Sequence, residues 1–318
     1  MTKQKTGKPL VSIIIPVLDE QESIPMLYGQ LNSVLKDIPY NVEIIFVDDG
    51  STDGTLDTIR KLASKDRRIK AISFSRNFGH QAALLAGLDA ARGDATITMD
   101  GDLQHPPRLI PELLAQWTKG FDVVLTVRKE TEGGSRLKML TARWFYALMN
   151  SVGSVHLPAN TADFRLLARP VVDQLCQLEE RALFLRGLVR WVGFRQTTIE
   201  YVADRRFAGM TKYSFRSMLK FAADGITSFS TTPLLLSLYF GFCVSLMSFL
   251  YGLYAVYMRL FTTESIPGWA SILVAVLFLG GVQLMTIGIL GLYVGKLFQE
   301  VKKRPRYIIR ETIGGDAG

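Results

Sequence analysis

The chain of 318 residues contains only 2 cysteines and 3 histidines. Cys176 and Cys243 stand in different parts of the sequence, so we expect both thiols to stay reduced at a cytosolic face. The sequence has no Cys/His cluster with zinc-ligand spacing, which excludes a zinc site of the usual kind. A signal peptide is also missing, because residues 1–8 are polar and the apolar run behind them is short and strand-like.

Two glycine-rich fingerprints are absent as well. No Gly-x-Gly-x-x-Gly follows the first predicted strand, and no loop carries a Walker A lysine. These absences exclude ordinary dinucleotide-dependent enzymes and P-loop ATPases. The net charge of +8 reflects either a solvated surface with a basic C-terminal tail or an attraction to anionic lipid headgroups and phosphates. We recognise no nucleic-acid-binding module, so we favour the lipid bilayer over nucleic acid as a partner.

Charged residues are missing from two long segments, residues 234–258 and residues 270–295. Because about 20 apolar residues suffice to cross the hydrocarbon layer, we predict two transmembrane helices rather than two buried core helices. The basic residues behind the second segment predict that both termini and the large N-terminal domain face the cytoplasm. These residues are Lys296, Lys302, Lys303, Arg304, Arg306 and Arg310.

The segment before the first apolar run has a different pattern. In residues 211–232, apolar side chains recur at three- and four-residue steps, and charged ones fall on other faces. This pattern predicts an amphipathic helix, which lies in the membrane interface or packs on the N-terminal domain. The chain is thereby divided into an N-terminal domain of residues 1–210, this juxtamembrane helix, a transmembrane hairpin of residues 233–295 and a basic cytoplasmic tail of residues 296–318.

Residues 10–127 alternate between short apolar runs and helical patterns. Predicted strands cover residues 10–16, 42–47, 69–74, 96–99 and 123–127, and predicted helices cover residues 24–35, 56–63 and 81–91. This order predicts an α/β fold with a mostly parallel sheet and helices on both faces. Ligands bind such sheets beyond the carboxyl ends of the strands.

Acidic residues stand at these carboxyl ends: Asp19 and Glu20 after the first strand, Asp48 and Asp49 after the second, and Asp100 and Asp102 after the fourth. Two carboxylates on either side of Gly101 suit a hard divalent cation, to which Gln104 adds a neutral oxygen, and Mg²⁺ or Mn²⁺ fits these donors. The alternative is that Asp100 and Asp102 only cap the next segment. His105 is either a further ligand or a structural turn residue.

Cations for a diphosphate stand in two clusters. Arg128, Lys129 and Arg136 follow the fifth strand, and Arg205, Arg206 and Lys212 flank Gly209. Each residue alone is explained as a solvated surface charge. As clusters on segments that we expect to close over the sheet edge, they are candidates for phosphate binding.

Four motifs occur in an order and at distances that match a known family. They are Pro16-Val17-Leu18-Asp19-Glu20, Val47-Asp48-Asp49-Gly50-Ser51, Asp100-Gly101-Asp102-Leu103-Gln104 and Arg206…Gly209…Lys212. On these motifs the chain resembles the family 2 glycosyltransferases over essentially its whole length. It is most similar to the polyprenyl-phosphate branch, which includes bactoprenol glucosyltransferases and dolichyl-phosphate mannose synthases.

The resemblance implies a GT-A-type, Rossmann-like fold in a multi-pass protein of the bacterial inner (cytoplasmic) membrane. It implies an inverting transfer of a sugar from a nucleotide sugar, with UDP-glucose favoured, to undecaprenyl or another polyprenyl phosphate. A homo-oligomer is compatible with it.

The resemblance also implies roles for individual residues. Asp102 and Gln104 are the implied metal ligands, and Asp100 lies beside them on the donor. The implied donor nucleotide pocket contains Pro16, Asp19, Glu20, Asp48, Asp49, Arg76, Asp100 and Gly101. Arg128, Arg206 and Lys212 are implied phosphate contacts. Residues 161–165 match the acceptor side, where Asp163 is a catalytic candidate that acts as a base, orients the site or serves as a turn residue.

The sequence departs from the family pattern in three places. Gly101 stands where relatives often carry Ala, Thr211 replaces a more usual Ser, and Gly187 stands where processive polysaccharide synthases have Gln. Two other function classes stay open. One is a glycosyltransferase with a different acceptor, such as diacylglycerol or a polysaccharide. The other is a non-catalytic membrane scaffold or translocator subunit.

Overall fold

The computed structural model describes residues 7–129, 161–180, 184–202, 231–261 and 268–314. The strands are β1 Leu10–Val17, β2 Asn41–Asp48, β3 Ile69–Phe74, β4 Ala95–Thr98, β5 Val123–Arg128, β6 Thr161–Ala168, β7 Gln196–Tyr201 and β8 Ile309–Ile313. The helices are α1 Ser23–Leu35, α2 Thr55–Ala63, α3 His80–Ala90, α4 Ile110–Thr118, α5 Arg169–Gln177, α6 Leu185–Trp191, α7 Thr232–Phe261 and α8 Trp269–Val301.

The strands described form one sheet in the order β7-β5-β6-β4-β1-β2-β3-β8. β1 pairs in parallel with β2 and β4, β2 with β3, and β5 with β7. β6 runs antiparallel between β4 and β5, and β8 runs antiparallel along β3. The carboxyl ends of the parallel strands therefore share one edge of the sheet with the amino end of β6.

Helices cover both faces of the sheet, as the apolar sequence of the central strands requires. In β1, Ile13 and Ile15 are fully buried and belong to the same core cluster as Ile24 and Leu27 of α1. α3 packs on β1 and β2. Pro16 lies in this central strand without breaking it, because the pairing of β1 with β4 ends at Ile14, so the missing N–H falls beyond it. The predicted α/β fold is confirmed.

β6 is a strand that the hydrophobic pattern does not predict. Phe164 and Leu166 belong to the core cluster, but Asp163 and Arg165, which alternate with them, are also buried. Because successive side chains point to opposite faces, one face of β6 is apolar and the other carries two buried charges. Asp163 is thus a strand residue and not a turn residue.

The C-terminal segment adds β8 to the open edge of β3. Arg60 of α2 holds Glu311 with two hydrogen bonds of 2.7 and 2.8 Å. The hydroxyl of Tyr307 donates to Asp89 over 2.7 Å, and its ring stacks on Phe74 at 5.1 Å between centroids. The residues predicted as a basic tail therefore include a strand of the sheet.

The two charge-free segments form α7 and α8, which are a compact unit of their own. Thr232–Met258 and Val274–Val301 are long and apolar enough to cross a membrane by length and composition. α8 runs on to Val301, beyond the predicted end at residue 295. The predicted amphipathic helix lies outside the described residues except for its end, where α7 already begins at Thr232 with Pro233 in its first turn.

Candidate active site

The loops after β1 and β2 are bound to each other at the carboxyl edge. The backbone N–H of Asp19 donates to Oγ of Ser51 over 3.0 Å, and Oδ1 of Asp19 accepts from the N–H of Thr52 over 2.8 Å. The N–H of Glu20 donates to Oγ1 of Thr55 over 2.8 Å, and its carboxylate accepts from Ser23. Asp19 itself is exposed and has a positive φ of 55°. The structure therefore brings the first two predicted donor-pocket motifs together.

Asp48 and Asp49 are both buried, and their carboxylates bind groups of the protein. Asp48 accepts from the N–H of Ser51 over 3.0 Å and from the hydroxyl of Ser73 over 2.8 Å. Asp49 accepts from the N–H groups of Phe78 and Gly79, at 2.7 and 3.0 Å. Burial raises the pKa of Asp49, although these two backbone donors oppose the shift. Asp48 thus ties the loop after β2 to strand β3, and Asp49 ties the end of β2 to the loop after β3.

Arg76 lies in that loop after β3 and is exposed, with its guanidinium 4.1 Å from the centroid of the Phe78 ring. Gly50 makes the close approach of the two loops possible. Its φ is 76°, and a Cβ there would lie 2.5 Å from the backbone carbon of Arg76. The loops after β1, β2 and β3 thus form one connected wall, in which Asp19 and Arg76 are exposed.

The turn after β4 is held by His105. The backbone N–H of Asp100 donates to Nδ1 of His105 over 2.9 Å, and the imidazole, 5% exposed, stacks on Phe164 at 5.3 Å. Leu103 has a positive φ of 65°, and the N–H of Gln104 donates to Oδ1 of Asp102 over 3.1 Å. His105 therefore has the structural role in this turn, with Nδ1 engaged by the backbone.

The residues present fit a hard divalent cation that takes part of its ligands from substrate. Oδ1 of Asp100 is buried and has no hydrogen-bond partner among the described residues. Asp100, Asp102 and Gln104 offer only oxygen donors. Mg²⁺ is held in phosphate-handling sites by one or two carboxylates plus substrate phosphates, so a full protein cage is not needed. No group of three or more His, Cys, Asp and Glu residues suited to a metal lies in the described part of the chain.

Asp163 lies beside Asp100 because of the strand register. Thr98 of β4 pairs with Arg165 of the antiparallel strand β6. Continued by two residues, this register places Asp100 opposite Asp163. The imidazole of His80, at the start of α3, lies between the two: Nε2 is 3.5 Å from Oδ1 of Asp100 and 3.5 Å from Oδ2 of Asp163. Three elements thus meet at this point.

Two arginines bind the Asp163 carboxylate. Arg186 of α6 reaches it from Nε and Nη2, and buried Arg165 contacts Oδ1. Burial by itself raises the pKa of Asp163, but Arg165 and Arg186 hold it well below its usual range. His80 behaves in the opposite sense: burial lowers its pKa, while Asp163 and Asp100 outweigh this and raise it. Asp163 is therefore an anion that is already fully engaged.

Arg128 is exposed at the end of β5 and pairs with Tyr201 of β7. Burial raises the pKa of Tyr201 to about 12; Arg128 opposes this shift, and Asp100 and Asp102 add to it. Arg128 is thus on the same edge as the turn after β4. Arg206 and Lys212, the other predicted phosphate contacts, lie outside the described residues.

Four residues of this site have no role predicted from the sequence: His80, Arg165, Arg186 and Tyr201. Two of them could have been found from the sequence. Arg165 belongs to residues 161–165, which match the acceptor side of the family, and His80 directly precedes a predicted helix that starts at the carboxyl edge of the sheet. Arg186 has no such signal in the sequence, because only the packing of α6 brings it to Asp163.

Comparison with known proteins identifies the family. Residues 12–176 match the model of the glycosyl transferase family 2. The chain belongs to this family. It is a glycosyltransferase, and its sheet, with helices on both faces, is of the GT-A type that the resemblance implied.

Similar proteins match along nearly the whole length. The chain is 44% identical to the uncharacterized glycosyltransferase YkcC of Bacillus subtilis, over 95% of this chain and 94% of the relative. It is also 44% identical to the bactoprenol glucosyl transferase of Shigella phage SfII, over 96% of this chain and 99% of that protein. Among solved structures, glucosyl-3-phosphoglycerate synthase from Mycobacterium tuberculosis in complex with Mn²⁺, UDP and phosphoglyceric acid has a TM-score of 0.46 at 20% identity, over 69% of this chain and 76% of that chain.

Proposed function

We propose that this protein transfers glucose from UDP-glucose to a polyprenyl phosphate, with inversion, at the cytoplasmic face of a bacterial inner membrane. The observation that carries the proposal is an acidic sheet edge and two apolar helices in one chain that matches a bactoprenol glucosyl transferase over 96% of its length. In this proposal both termini and the sheet domain are cytoplasmic, and α7 and α8 span the bilayer.

The donor binds across the wall formed by the loops after β1, β2 and β3. Asp19 and Glu20 accept hydrogen bonds from the nucleoside, and Asp48 and Asp49 support the pocket from behind because their carboxylates hold its loops. Pro16 and Gly101 form the floor of the pocket, where the absent side chain of Gly101 lets the turn after β4 pack on Val17, and Arg76 borders the nucleotide. Arg128, with Arg206 and Lys212, contacts the phosphates.

Asp102 and Gln104, with Asp100 beside them, would hold Mg²⁺ or Mn²⁺ on the donor diphosphate. A divalent cation there supplies Lewis-acid stabilisation of the charge that builds up on the leaving group. Preorganised arginines of the site add to this electrostatic stabilisation without reorganising during the reaction.

The reaction breaks the bond between the sugar anomeric carbon and the diphosphate oxygen and forms a bond from that carbon to an oxygen of the acceptor phosphate. The second pKa of a phosphate monoester is about 6, so the acceptor is largely a dianion at neutral pH and needs no base. This agrees with the geometry of Asp163, whose pKa is held well below its usual range by Arg165 and Arg186. Asp163 orients these arginines and does not abstract a proton.

The test is a lipid-extraction assay on the full-length protein in detergent. Purified protein is mixed with undecaprenyl phosphate, Mg²⁺ or Mn²⁺ and each of several radiolabelled nucleotide sugars, and label is counted in the organic phase. We expect label from UDP-glucose, lost on addition of EDTA and in Asp102→Ala. The matched control Asp57→Ala removes an exposed carboxylate on α2 and keeps full activity.

Other outcomes would contradict the proposal in distinct ways. Label from a different nucleotide sugar would correct the donor. Label in diacylglycerol or in a polymer, with none in polyprenyl phosphate, would replace the acceptor and require a base for its hydroxyl. Nucleotide binding without transfer to any acceptor would indicate a non-catalytic role.

A further inference from the structure

We propose that His80 is a positioning residue of the transfer reaction, which holds the carboxylates of Asp100 and Asp163 in register across the site. The inference rests on the proposed function for its activity assay but concerns a residue to which that function assigns no role. Its basis is the geometry of three elements, the start of α3, the turn after β4 and the amino end of β6.

The imidazole of His80 lies between the carboxylates of Asp100 and Asp163. Nε2 lies 3.5 Å from Oδ1 of Asp100 and 3.5 Å from Oδ2 of Asp163. A like charge nearby disfavours the ionised form of a carboxylate, and a donor between the two carboxylates offsets this effect. His80 is the side chain that the described residues place in this position.

Asp100 depends on His80 more than Asp163 does. The carboxylate of Asp163 already has Arg165 and Arg186 as partners. Oδ1 of Asp100 is buried, and no described residue forms a hydrogen bond to it within ordinary limits. Catalytic hydrogen bonds are often long in the absence of substrate. We therefore expect the imidazole, now 3.5 Å away, to form a hydrogen bond with Oδ1 of Asp100 when substrate binds.

The position of His80 is itself fixed by a carboxylate of the donor pocket. Asp49 binds the N–H groups of Phe78 and Gly79, which directly precede His80. Gly79 has a φ of 99°, a conformation that favours glycine, and it directs the chain into α3. A continuous set of contacts thus runs from Asp49 in the donor pocket to Asp100 beside the proposed metal ligands.

His80 is still open to the site. Its side chain is 42% exposed, whereas that of His105 is 6% exposed. A histidine that only filled space in the core would be buried and would contact apolar neighbours. His80 instead faces two carboxylates with its far nitrogen, so its donor group and not its bulk is what the site uses.

Two substitutions separate the donor from the bulk. His80→Gln keeps an N–H donor at about the reach of Nε2, and His80→Leu keeps the size and removes the donor. We expect His80→Leu to lower kcat by about ten- to a hundred-fold, the effect of an unmet hydrogen bond to a buried carboxylate oxygen, with the KM for the donor changed by less than about threefold. We expect His80→Gln to retain most of the kcat. Thermal unfolding of all three proteins in detergent shows whether each variant is folded, and His80→Asn, whose amide is too short, replaces His80→Leu if that variant unfolds.

Several results would overturn the inference. Equal kcat for His80→Leu and wild type would show that the donor is not used. Equal losses in folded His80→Leu and His80→Gln would point to a role that only imidazole can fill. A rise in KM at unchanged kcat would make His80 a binding contact.

A structural readout keeps this test separate from that of the proposed function. If the wild type labels no polyprenyl phosphate, the proposed function fails, and the structures of the variants decide the role of His80. We expect the Asp100 carboxylate to turn away from Asp163 in His80→Leu and to keep its place in His80→Gln. An unchanged Asp100 in both would overturn the inference.

Discussion

Arg186 of α6 donates two hydrogen bonds to Asp163 of β6, from Nε to Oδ1 over 3.1 Å and from Nη2 to Oδ2 over 2.7 Å. The paired donors match the two oxygens of the carboxylate, the strong geometry for an arginine. Arg165, with a side chain 2% exposed, contacts the same carboxylate from within β6. The residue that the family resemblance offered as a base is thus the anion that keeps two guanidinium groups in place.

Replacing Asp163 should therefore destabilise the fold. We expect Asp163→Asn to lower the free energy of unfolding by about 3–5 kcal/mol, because buried Arg165 loses its counter-ion. The double variant Asp163→Asn/Arg165→Met should recover part of this loss. Denaturant unfolding of the detergent-solubilised protein measures both. Asp173→Asn is the control, since its carboxylate is exposed and pairs with Arg169 at the surface, and it should cost less than about 1 kcal/mol. Equal effects at the two sites would contradict this account.

The pH dependence of sugar transfer should reflect the ionisation of the acceptor phosphate and not that of the Asp163 carboxyl. Because Arg165 and Arg186 keep the pKa of Asp163 well below its usual range, this carboxyl stays ionised throughout the accessible pH range. We expect kcat/KM for the acceptor to rise with pH up to about 6, where the phosphate becomes a dianion, and then to level off. A phosphonate acceptor with a higher second pKa should move this limb upward. The prediction fails if the rise of kcat/KM occurs at the same pH with the phosphonate acceptor and is absent in Asp163→Asn. That result would show that Asp163 acts as a base.

Asp66 should contribute to acid stability. The Arg68 guanidinium lowers the pKa of Asp66 to about 2, against about 3.9 in an unfolded chain. A lowered pKa in the folded state stabilises the protein above pH ~4, and this contribution is lost as the pH falls through ~2. We expect Asp66→Asn to cost about 1–2 kcal/mol at pH 7, since solvent screens this partly exposed pair, and the cost should fall towards zero as the pH drops below about 2. Unfolding free energies across this range, with exposed Asp57→Asn as the control, test the prediction; a pH-independent cost would refute it.

Gly50 and Gly79 should differ sharply in their tolerance of alanine. Both have positive φ, 76° and 99°, but a Cβ on Gly50 would meet the backbone of Arg76 at 2.5 Å, whereas one on Gly79 meets nothing within 4 Å. Gly79→Ala should cost only backbone strain, about 1–3 kcal/mol. Gly50→Ala must also separate the loops after β2 and β3, so it should weaken UDP binding as well as stability. Calorimetric titration with UDP distinguishes them, and equal affinities would show that the loops can separate without harm.

Gly101 stands where relatives often carry Ala, and the structure leaves little room for an alanine side chain at this position. A Cβ there would lie 2.8 Å from Cγ1 of Val17, and Val17 is a buried β-branched residue with little rotamer freedom. We expect Gly101→Ala to cost about 1–3 kcal/mol of stability, as overpacked cores do. Val17→Ala in the same chain should relieve the overlap. If thermal unfolding shows no such rescue, the cost arises elsewhere.

The sequence predicted the first five strands to within about two residues because each is an apolar run next to a turn or a helical pattern. The parallel order and the acidic edge followed from the same patterns. β6 was not predicted, since Asp163 and Arg165 interrupt its apolar residues, and their burial depends on each other and on Arg186. β7 is half polar, and β8 lies among the basic residues that suggested a tail.

The candidate site was predictable as a set of residue types and not as a set of contacts. Asp19, Asp100 and Asp102 could be placed at the sheet edge from strand order alone. The contact of Asp48 with Ser73 depends on the register of β2 against β3, and that of Asp49 with the backbone of Phe78 depends on the path of the loop after β3. The place of Asp163 beside Asp100, and so the contact of His80 with both, depends on the register of β4 against β6, which no local pattern specifies.

The position of β8 has a consequence for how the protein is made. A ribosome releases β3 early, but β8, the strand that covers its open edge, emerges only after both apolar helices. Until then β3 presents unpaired backbone groups, the kind of edge that pairs with other chains. Translation that stops before residue 309 would leave a sheet whose carboxyl edge is formed but whose strand β3 has no partner on its outer side. Because β8 follows both apolar helices, completion of the sheet domain waits for their synthesis.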